Sequence, residues 1–493
     1  MSMDRDNGRR VCVIGAGIAG LVTAKVFKED GFEVVVFEKE PELGGVWASS
    51  RTYPGLRANN PRETYAFSDY PYPETADDFP TAEQVRAYLK SYAEHFGLRP
   101  LICLSTEAVS VRAARDRPGE GQTYDVSVRA AGSDAALTHH FDFVVICNGV
   151  FSEPYLPHIE GRELFAGQVL HSSQFVDPAA AQGRVVVVGA GKSALDCAGW
   201  AADRAKSCTL VFRTPHWMIP RYFGRIRVDR ITMTRFAELF LRYHRQSLCE
   251  RVMHGPAKAF VRAWWRGFSC LDRRVLRMPD VLKPGTLLPQ GYENTGTGSE
   301  FYDALKLGKL SLRRAGVSRF AGAAAIELDN GESLDADVVV FATGWRQGIP
   351  FLDSDLKSRV IKDDRLHLYR HILPPGQPGL GFVGYASSTA CQLTSELAAH
   401  WLSQCFRGEL ALPDATAMEQ EISRVLKWSS EVFPGRSQGY YIGPYVAHYL
   451  DELLSDMGLP RRRTGNFLSE YFAPLWPERY RSVGEERRRA RAQ

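Results

Sequence analysis

The chain has 493 residues, 44% hydrophobic and 24% charged, with a formal net charge of +4. This length exceeds one ordinary core and predicts two or three domains, while the mild charge argues against a nucleic-acid partner. Nine cysteines without a C-x-x-C pair argue against a dithiol redox centre, a zinc site and a disulfide framework, and they suit a reducing cytoplasm. No apolar run approaches the ~18 residues of a membrane span.

The first predicted elements surround a glycine-rich turn near the start of the chain. A β-branched strand at 11–14 enters a turn with Gly15, Gly17 and Gly20, a helix follows, and a second strand ends at Glu38. The glycines allow a tight bend and a close approach to pyrophosphate, and the helix N-terminus supplies amide donors. The Glu38 carboxylate can bind ribose hydroxyls but would repel a 2′-phosphate, so this unit predicts an FAD or NAD site and not an NADP site.

A second unit repeats the pattern around residues 185–213. A strand enters a turn with Gly189 and Gly191, and a helix and another strand follow, but basic Arg213 now stands where the first unit has Glu38. A guanidinium can bind a phosphate through two parallel hydrogen bonds, so this unit predicts NADPH. The polar side chains expected to meet its phosphates are Lys192, Ser193, Arg213 and Thr214. An FAD site and an NADPH site in one chain predict a flavoprotein oxidoreductase.

Several further motifs share a resemblance to one family. They are GGVW with Gly45 and Trp47, the Asn59-Asn60-Pro-Arg-Glu stretch, FAGQVLHSSQF at 165–175, and VVVFATGW at 338–345. Together they resemble the flavin-containing monooxygenases, class B enzymes related to the Baeyer–Villiger monooxygenases. The returning segment after ATGW resembles the family's second FAD segment. The resemblance adds Gly45, Trp47, Thr343, Gly344 and Gln392 to the expected cofactor-binding residues.

The resemblance also implies a mechanism. NADPH reduces FAD, the reduced flavin forms a peroxide adduct with dioxygen at its C4a position, and this adduct transfers one oxygen atom to a small organic substrate. The family assigns stabilisation of the adduct to the asparagine that matches Asn59, and an amide offers a donor and an acceptor without adding a charge. Asn60 is the alternative contact, and an asparagine near a proline is also common in plain turns.

The linker 165–175 has neither the alternation of a good strand nor the apolar stripe of a good helix. The resemblance implies that it connects the FAD domain to the NADPH domain. His171 within it, a candidate catalytic residue, is expected to act as a hinge or positioning residue rather than as a proton donor to substrate. The closing pair Phe175-Val176, like Asn59, favours nitrogen or sulfur oxygenation over Baeyer–Villiger oxidation of a ketone, which remains the alternative.

The predicted fold is α/β, with two Rossmann-like dinucleotide-binding domains and a helical insertion. Residues 1–163 and 331–493 are expected to form the two parts of the FAD domain, with C-terminal helices, and residues 164–330 the NADPH domain. The insertion at 221–283 is basic and aromatic and predicts two or three amphipathic helices. Three roles stay open for it: a lid over the substrate channel, a surface for a membrane or an acidic partner, or plain packing.

Within this insertion, Trp264 and Trp265 are the first candidates for substrate contact, and the aromatic stretch SQGYYIGPYVAHYL is expected to close the channel from the other side. The basic tail EERRRARAQ is expected to be a frayed terminus. The expected partners are a small molecule and dioxygen, in the cytoplasm and without a metal. A homodimer and a peripheral membrane contact stay open.

Two different classes of protein remain as alternatives. A pyridine-nucleotide–disulfide reductase shares the predicted fold, but the missing C-x-x-C counts against it. A flavoprotein reductase or oxidase, or a flavin-binding protein without catalysis, is the other alternative, and the non-catalytic protein would require the oxygen-side residues to be incidental, against which Asn59, GGVW and the linker argue. A yellow protein that oxidises NADPH would separate these classes.

Overall fold

The computed structural model of the protein describes residues 9–114, 122–290, 292–434 and 440–492. Two five-stranded parallel sheets form its framework. The first sheet consists, in spatial order, of Leu380–Phe382, Phe143–Ile146, Arg10–Ile14, Glu33–Phe37 and Ile102–Cys103. The second consists of Ser311–Arg314, Ser207–Phe212, Arg184–Val188, Val338–Phe341 and Gln168–His171. The predicted α/β class with two Rossmann-like units is therefore confirmed.

The central strands are valine-rich and buried on both faces because helices cover both sides of a parallel sheet. Val338–Phe341 is buried along its whole length. In the first unit, the helix Ile18–Glu29 follows the glycine turn and packs against Cys391–Phe406. In the second, Lys192–Ala202 packs against Glu300–Lys306.

The duplication extends beyond the nucleotide turns. Each unit carries a three-stranded antiparallel sheet just before its next parallel strand. The first consists of Thr106–Ala113, Tyr124–Ala130 and Ala136–Phe141, and the second of Val317–Gly322, Ala325–Leu328 and Ser333–Asp335. The two units thus share one order of elements from the strand before the glycine turn to the parallel strand after this antiparallel sheet.

The linker contains a strand, which its sequence pattern did not predict. Gln168–His171 is the edge strand of the second sheet and pairs in parallel with Val338–Phe341. A Cβ on Gly167 would lie 2.3 Å from the carbonyl oxygen of Asp337, so the chain enters the sheet where only glycine fits. Phe175 is fully buried and packs edge-on against Trp200. The missing alternation has a physical cause, because an edge strand held by backbone pairing needs no apolar face of its own.

One domain boundary lies later than expected. Val338–Phe341 belongs to the second sheet, since it pairs with both Arg184–Val188 and Gln168–His171. The chain therefore returns to the first sheet after Phe341 and not at residue 331. The short strand Trp345–Arg346 pairs with Glu153–Pro154, so both crossings between the units lie side by side.

The insertion is mainly helical, as predicted, but it also contains short strands. Its helices are Asp229–Thr232, Arg235–Glu238, Leu248–His254 and Lys258–Leu276, and its strands are Tyr222–Phe223 and Ile226–Arg227. The other helices of the chain are Ala82–His95, Ser354–Val360, Ala415–Val432, Val446–Asp456, Phe467–Phe472 and Val483–Ala492. The remaining short strands are Trp217–Pro220, Tyr292–Thr297, Ile361–Lys362, Arg365–Leu366, Ser387–Ser388 and Tyr441–Gly443.

The basic tail is helical and anchored, which corrects the expectation of a frayed terminus. Arg487 in the helix Val483–Ala492 is 1% exposed and forms an ion pair of 2.7 Å with Asp30. The sequence pattern does not indicate this anchoring, because a buried arginine and a solvated arginine look the same in sequence. In the described parts of the chain, no helix combines the length and apolarity that crossing a bilayer requires.

Candidate cofactor and substrate site

One large cavity lies at the carboxyl ends of both parallel sheets. Its volume is about 1410 Å³. Residues that follow the strand ends Ile14, Phe37 and Ile146 line one side, and residues that follow Val188 and Phe341 line the other. Open α/β sheets bind nucleotides at this position. The two predicted nucleotide turns therefore share one continuous space.

The first turn contains glycines whose backbone lies close to other backbone atoms. Gly15 has φ +109°, and a Cβ there would lie 2.7 Å from the carbonyl oxygen of Cys147. A Cβ on Gly45, in the GGVW loop, would lie 3.1 Å from the Cα of Gly17. Gly20 lies behind the wall, where a Cβ would lie 1.8 Å from the carbonyl oxygen of Gly15. Gly15, Gly17 and Gly45 thus form a bare backbone cradle, and Gly20 allows the helix to pack beneath it.

Glu38 lies at the far edge of this cradle with its carboxylate buried. One oxygen accepts a hydrogen bond from the backbone N–H of Ala16 at 2.6 Å, and the other accepts one from Glu40 at 2.9 Å. Burial raises the pKa of the carboxyl above its ordinary value, although both backbone hydrogen bonds act in the opposite direction. Glu38 lines the cavity, and each of its carboxylate oxygens can accept a further hydrogen bond.

The second turn has two basic side chains, and they differ in burial and in ion pairing. Lys192 is buried and forms an ion pair with Asp196, whose carboxylate also accepts a hydrogen bond of 2.9 Å from the Tyr53 hydroxyl. Arg213 follows the strand Ser207–Phe212, is exposed and lines the cavity beside Thr214. Within the described ranges it takes part in no ion pair. Arg213 is therefore the cation of this turn whose charge is available to a ligand.

The two asparagines occupy the wall between the turns and are held differently. Asn59 is half-buried, and Asn60 is 1% exposed. The Asn60 Nδ2 donates to the carbonyl oxygen of Thr389, while its Oδ1 is buried without a hydrogen-bond partner. Both residues line the cavity. Asn60 therefore fixes the loop to the returning segment and leaves a carbonyl oxygen that a bound group can satisfy.

His171 lies outside the cavity wall and connects the linker to the ATGW segment. Its Nδ1 accepts from the backbone N–H of Ser173 at 3.2 Å, which leaves its Nε2–H to donate to the carbonyl oxygen of Gly344 at 3.0 Å. Burial lowers the pKa of the imidazole, and nearby Arg51 acts in the same direction. Both ring nitrogens are therefore occupied by partners within the linker and the ATGW segment. Thr343 is fixed next to it by a 2.5 Å hydrogen bond to the carbonyl oxygen of Tyr155.

The structure places several other expected residues away from the wall. Gln392 is fully buried behind it and donates to the carbonyl oxygen of Tyr65 at 3.2 Å. Trp264 and Trp265 do not line the cavity, which contradicts their expected contact with substrate. The Trp265 Nε1 instead donates to the carbonyl oxygen of Phe240. By contrast, Tyr440 and Tyr441 of the C-terminal aromatic stretch do line the cavity.

Sequence reasoning missed two polar connections at the site. Tyr53 and Asp196 join the first unit to the second turn. The Tyr385 hydroxyl donates at 2.5 Å to the Oδ1 of Asn148, a wall residue, and accepts at 2.9 Å from the Nε2 of Gln347. These partners are far apart in the chain, so no local spacing indicates them.

Comparisons with known proteins agree with this geometry. A family model described as Flavin-binding monooxygenase-like matches residues 8–278 and 295–484. The Probable flavin-containing monooxygenase 1 of Arabidopsis thaliana is 29% identical over 98% of this chain and 98% of its own length. The S-allyl-L-cysteine S-oxygenase of Allium sativum superposes with a TM-score of 0.65 at 22% identity, over 99% of this chain and 94% of that structure. An oxidised steroid monooxygenase bound to NADP gives a TM-score of 0.67 at 21% identity, over 92% and 98%.

Proposed function

This chain belongs to the flavin-binding monooxygenase-like family and is a flavoprotein monooxygenase, and we propose that it catalyses the FAD- and NADPH-dependent oxygenation of a nitrogen or sulfur atom in a small organic substrate. The proposal rests on one cavity that both glycine turns line. Glu38 follows the strand beside the first turn, and Arg213, which has no ion pair within the described residues, follows the strand beside the second. These are complementary sites for two different dinucleotides.

The residues of the first turn fit FAD. Gly15, Gly17 and Gly45 leave room for a pyrophosphate against bare backbone, since a Cβ at Gly15 or Gly45 would meet other backbone atoms at 2.7 or 3.1 Å. The Glu38 carboxylate would accept hydrogen bonds from the ribose hydroxyls. The unpartnered Oδ1 of Asn60 marks a further point where a ligand donor would complete a buried hydrogen bond.

The residues of the second turn fit NADPH. Arg213 would pair with the 2′-phosphate, which carries charge that NADH lacks. Gly189 and Gly191 line the cavity without side chains, so a pyrophosphate could approach their backbone closely. The Lys192–Asp196 pair is close to neutral, so it would contribute hydrogen bonds more than net charge.

The protein's part in the oxygen transfer is to orient the reactants and exclude water. When bound, FAD accepts a hydride from NADPH and activates dioxygen, so that one oxygen atom reaches the substrate and the other leaves as water. Asn59 offers an amide at the wall between the turns. Tyr65, Tyr292, Tyr440 and Tyr441 supply large aromatic surfaces around the same space. A soft nitrogen or sulfur nucleophile needs little acid–base help from the protein, because the oxidant is already activated before it reacts.

Support for heteroatom oxygenation over ketone oxidation comes from the linker. Phe175-Val176 closes the linker as in the nitrogen- and sulfur-oxygenating branch that the sequence resembles.

The test is turnover with NADPH in air on a panel of tertiary amines, sulfides and ketones. Product analysis should find N-oxides or sulfoxides in amounts that match the NADPH consumed. A lactone or ester from the ketones alone would replace the proposal by Baeyer–Villiger oxidation. NADPH consumption that yields only hydrogen peroxide with every substrate would contradict monooxygenation altogether.

A second test concerns Asn59. In Asn59→Ala, flavin reduction by NADPH should proceed at the rate of the parent protein, while the yield of oxygenated product per NADPH should fall severalfold and peroxide should rise. Asn59→Gln keeps the amide and should recover part of the yield. Equal yields in all three proteins would remove Asn59 from the oxygen-transfer step.

A further inference from the structure

A second, much smaller cavity lies where the helical insertion meets two C-terminal helices. Its volume is about 20 Å³, which is enough for one ion or one water molecule. Its wall includes His244 of the insertion, Glu421 of the helix Ala415–Val432 and Glu452 of the helix Val446–Asp456. None of these three residues lines the cofactor cavity, so the two sites are separate.

Each of the three residues has one buried polar atom that makes no hydrogen bond. These atoms are the Nδ1 of His244, the Oε1 of Glu421 and the Oε1 of Glu452. The His244 side chain is 2% exposed, and its Nδ1 lies 4.0 Å from the Oε1 of Glu421. Its Nε2 lies 3.5 Å from the Oε1 of Glu452. These distances are too long for hydrogen bonds, but they suit ligands that surround one ion at about 2.0–2.2 Å.

His448 provides a comparison, because it also lies between two glutamates. Its Nδ1 is 2.6 Å from a carboxylate oxygen of Glu238, and its Nε2 is 2.5 Å from one of Glu250. Both are hydrogen-bond distances, so His448 satisfies its two partners directly. His244 lies farther from both of its carboxylates, and the small cavity lies at this histidine.

Arginines hold the second oxygen of each glutamate at the cavity. Arg424 donates to the Oε2 of Glu421 at 2.5 Å, and Arg370 donates to the Oε2 of Glu452 at 2.7 Å. Hydrogen bonds to the outer oxygen of a carboxylate orient the oxygen that faces a metal ion. The two Oε1 atoms are therefore fixed in the direction of His244.

The positive charges beside the cavity are either neutralised or able to move away. Arg370 is buried, and its guanidinium also donates to both carboxylate oxygens of Asp456 at 2.8 and 3.0 Å. Arg245 lies 2.9 Å from the Oε1 of Glu421 in an ion pair that lacks hydrogen-bond geometry. The Arg245 side chain is 46% exposed, so it can turn into solvent when a metal ion binds the same oxygen.

We propose that His244, Glu421 and Glu452 bind a Zn²⁺ ion, with water as the fourth ligand. Imidazole and carboxylate ligands together favour zinc, whereas Mg²⁺ and Ca²⁺ prefer oxygen ligands alone. The ion would join the insertion to the helices Ala415–Val432 and Val446–Asp456, which is a structural role. The three ligands lie in separate segments of the chain, so their spacing in the sequence does not predict the site.

The experiment is calorimetric titration of the flavin-loaded, chelator-treated protein with Zn²⁺. One equivalent should bind, and excess Mg²⁺ should not displace it. Glu421→Gln and Glu452→Gln should each weaken binding about a hundredfold or more, since the loss of an outer hydrogen-bond partner alone costs about 10–100-fold. Arg245→Gln should instead tighten binding up to about fivefold, because it removes a competing cation from the Oε1 of Glu421.

The matched control is His367→Gln. His367 lies 3.4 Å from Glu419, but within the described residues this pair belongs to no group of three possible metal ligands. His367→Gln should bind Zn²⁺ as the parent does. Zinc should also raise the thermal midpoint of the parent and of this control, but not that of Glu421→Gln.

X-ray absorption of the zinc-loaded parent tests the site without any variant. The ligand shell should contain nitrogen and oxygen at about 2.0–2.2 Å and no sulfur. The proposal is overturned if no stoichiometric zinc binds, if sulfur is present in the shell, or if the glutamate variants bind zinc like the control. None of these measurements depends on the reaction proposed above.

Discussion

At the scale of single residues, the site is defined by differences between similar side chains. Lys192 and Arg213 are both basic and both line the cavity, but Lys192 is paired with Asp196 whereas Arg213 has no acidic partner in the described chain. Glu38 stands where Arg213 stands in the duplicate unit. In the proposed function, this exchange of charge sign at a strand end separates the two dinucleotide sites.

Arg213→Ala should raise the KM for NADPH about tenfold to a hundredfold, because a hydrogen-bonded charge pair contributes about 1.5–3 kcal/mol. The KM for NADH should hardly change, since NADH has no 2′-phosphate. Steady-state kinetics with both nucleotides checks this. Arg204→Gln removes an exposed arginine of the same unit that lies outside the cavity wall and should leave both constants unchanged. If Arg213→Ala affected both nucleotides equally, the phosphate contact would lie elsewhere.

At the scale of elements, the backbone of the helix Ile18–Glu29 packs closely against the backbone of the glycine turn that precedes it. Gly20 is inside the helix Ile18–Glu29, where alanine would ordinarily be favoured. The carbonyl oxygen of Gly15 occupies the position that a Cβ would need. Helix propensity therefore favours alanine at position 20, whereas tertiary packing requires glycine there.

Gly20→Ala should lower both the thermal midpoint and the fraction of protein with bound flavin. The matched change is Gly267→Ala, inside the helix Lys258–Leu276, where a Cβ would meet nothing within 4 Å. That variant should gain up to about 1 kcal/mol from helix propensity. Thermal melting and flavin absorbance measure both variants. A gain in stability for Gly20→Ala would show that the turn relaxes around a methyl group.

Three helices of the second half meet at His448. Its Nδ1 lies 2.6 Å from Glu238 and its Nε2 lies 2.5 Å from Glu250. The two carboxylates raise the pKa of His448 to about 10 despite its burial. The charged imidazolium therefore holds the helices Arg235–Glu238 and Leu248–His254 against Val446–Asp456.

The stabilising effect of His448 should depend on pH. The pKa of His448 in the unfolded chain is about 6.5. Its stabilisation is thus fully present below that pH and is lost as the pH rises through about 10. His448→Gln should lower the thermal midpoint most below pH ~6.5 and least above pH ~10. Melting curves across this range check the trend, with exposed His158→Gln as the control. A difference that is independent of pH would mean that His448 contributes packing and no charge.

At the scale of the whole molecule, the chain end is part of the core of the first unit. Arg487 is 1% exposed, with Asp30 at 2.7 Å and the Nδ1 of His400 at 2.6 Å. Asp30 follows the helix of the first nucleotide turn, and His400 lies in the helix Cys391–Phe406 behind the cavity. One side chain therefore joins three segments that are far apart in sequence.

Arg487→Met should reduce the free energy of unfolding by about 3–5 kcal/mol, because it leaves the Asp30 carboxylate buried without its cation. The double variant Arg487→Met/Asp30→Asn removes that charge as well and should regain part of the loss. Urea unfolding measures all three proteins, and exposed Arg489→Met should behave like the parent. No loss in Arg487→Met would mean that the terminal helix is dispensable.

The sequence by itself determined the two nucleotide units, their cofactors and the family. This was possible because their signals are local: glycine spacing sets a turn, and one charge at the next strand end, about 20 residues on, selects a phosphate or a hydroxyl.

Only the tertiary structure decided which polar groups are already occupied and where the chain changes sheets. The linker strand and the late return after Phe341 depend on pairing between strands more than 150 residues apart, since His171 pairs with Phe341. The same holds for the occupied ring of His171, the pairing of Lys192 with Asp196 and the burial of Arg487. The burial of a side chain and the identity of its hydrogen-bond or ion-pair partner depend on contacts between distant segments. The spacing of residues along the chain therefore does not predict them.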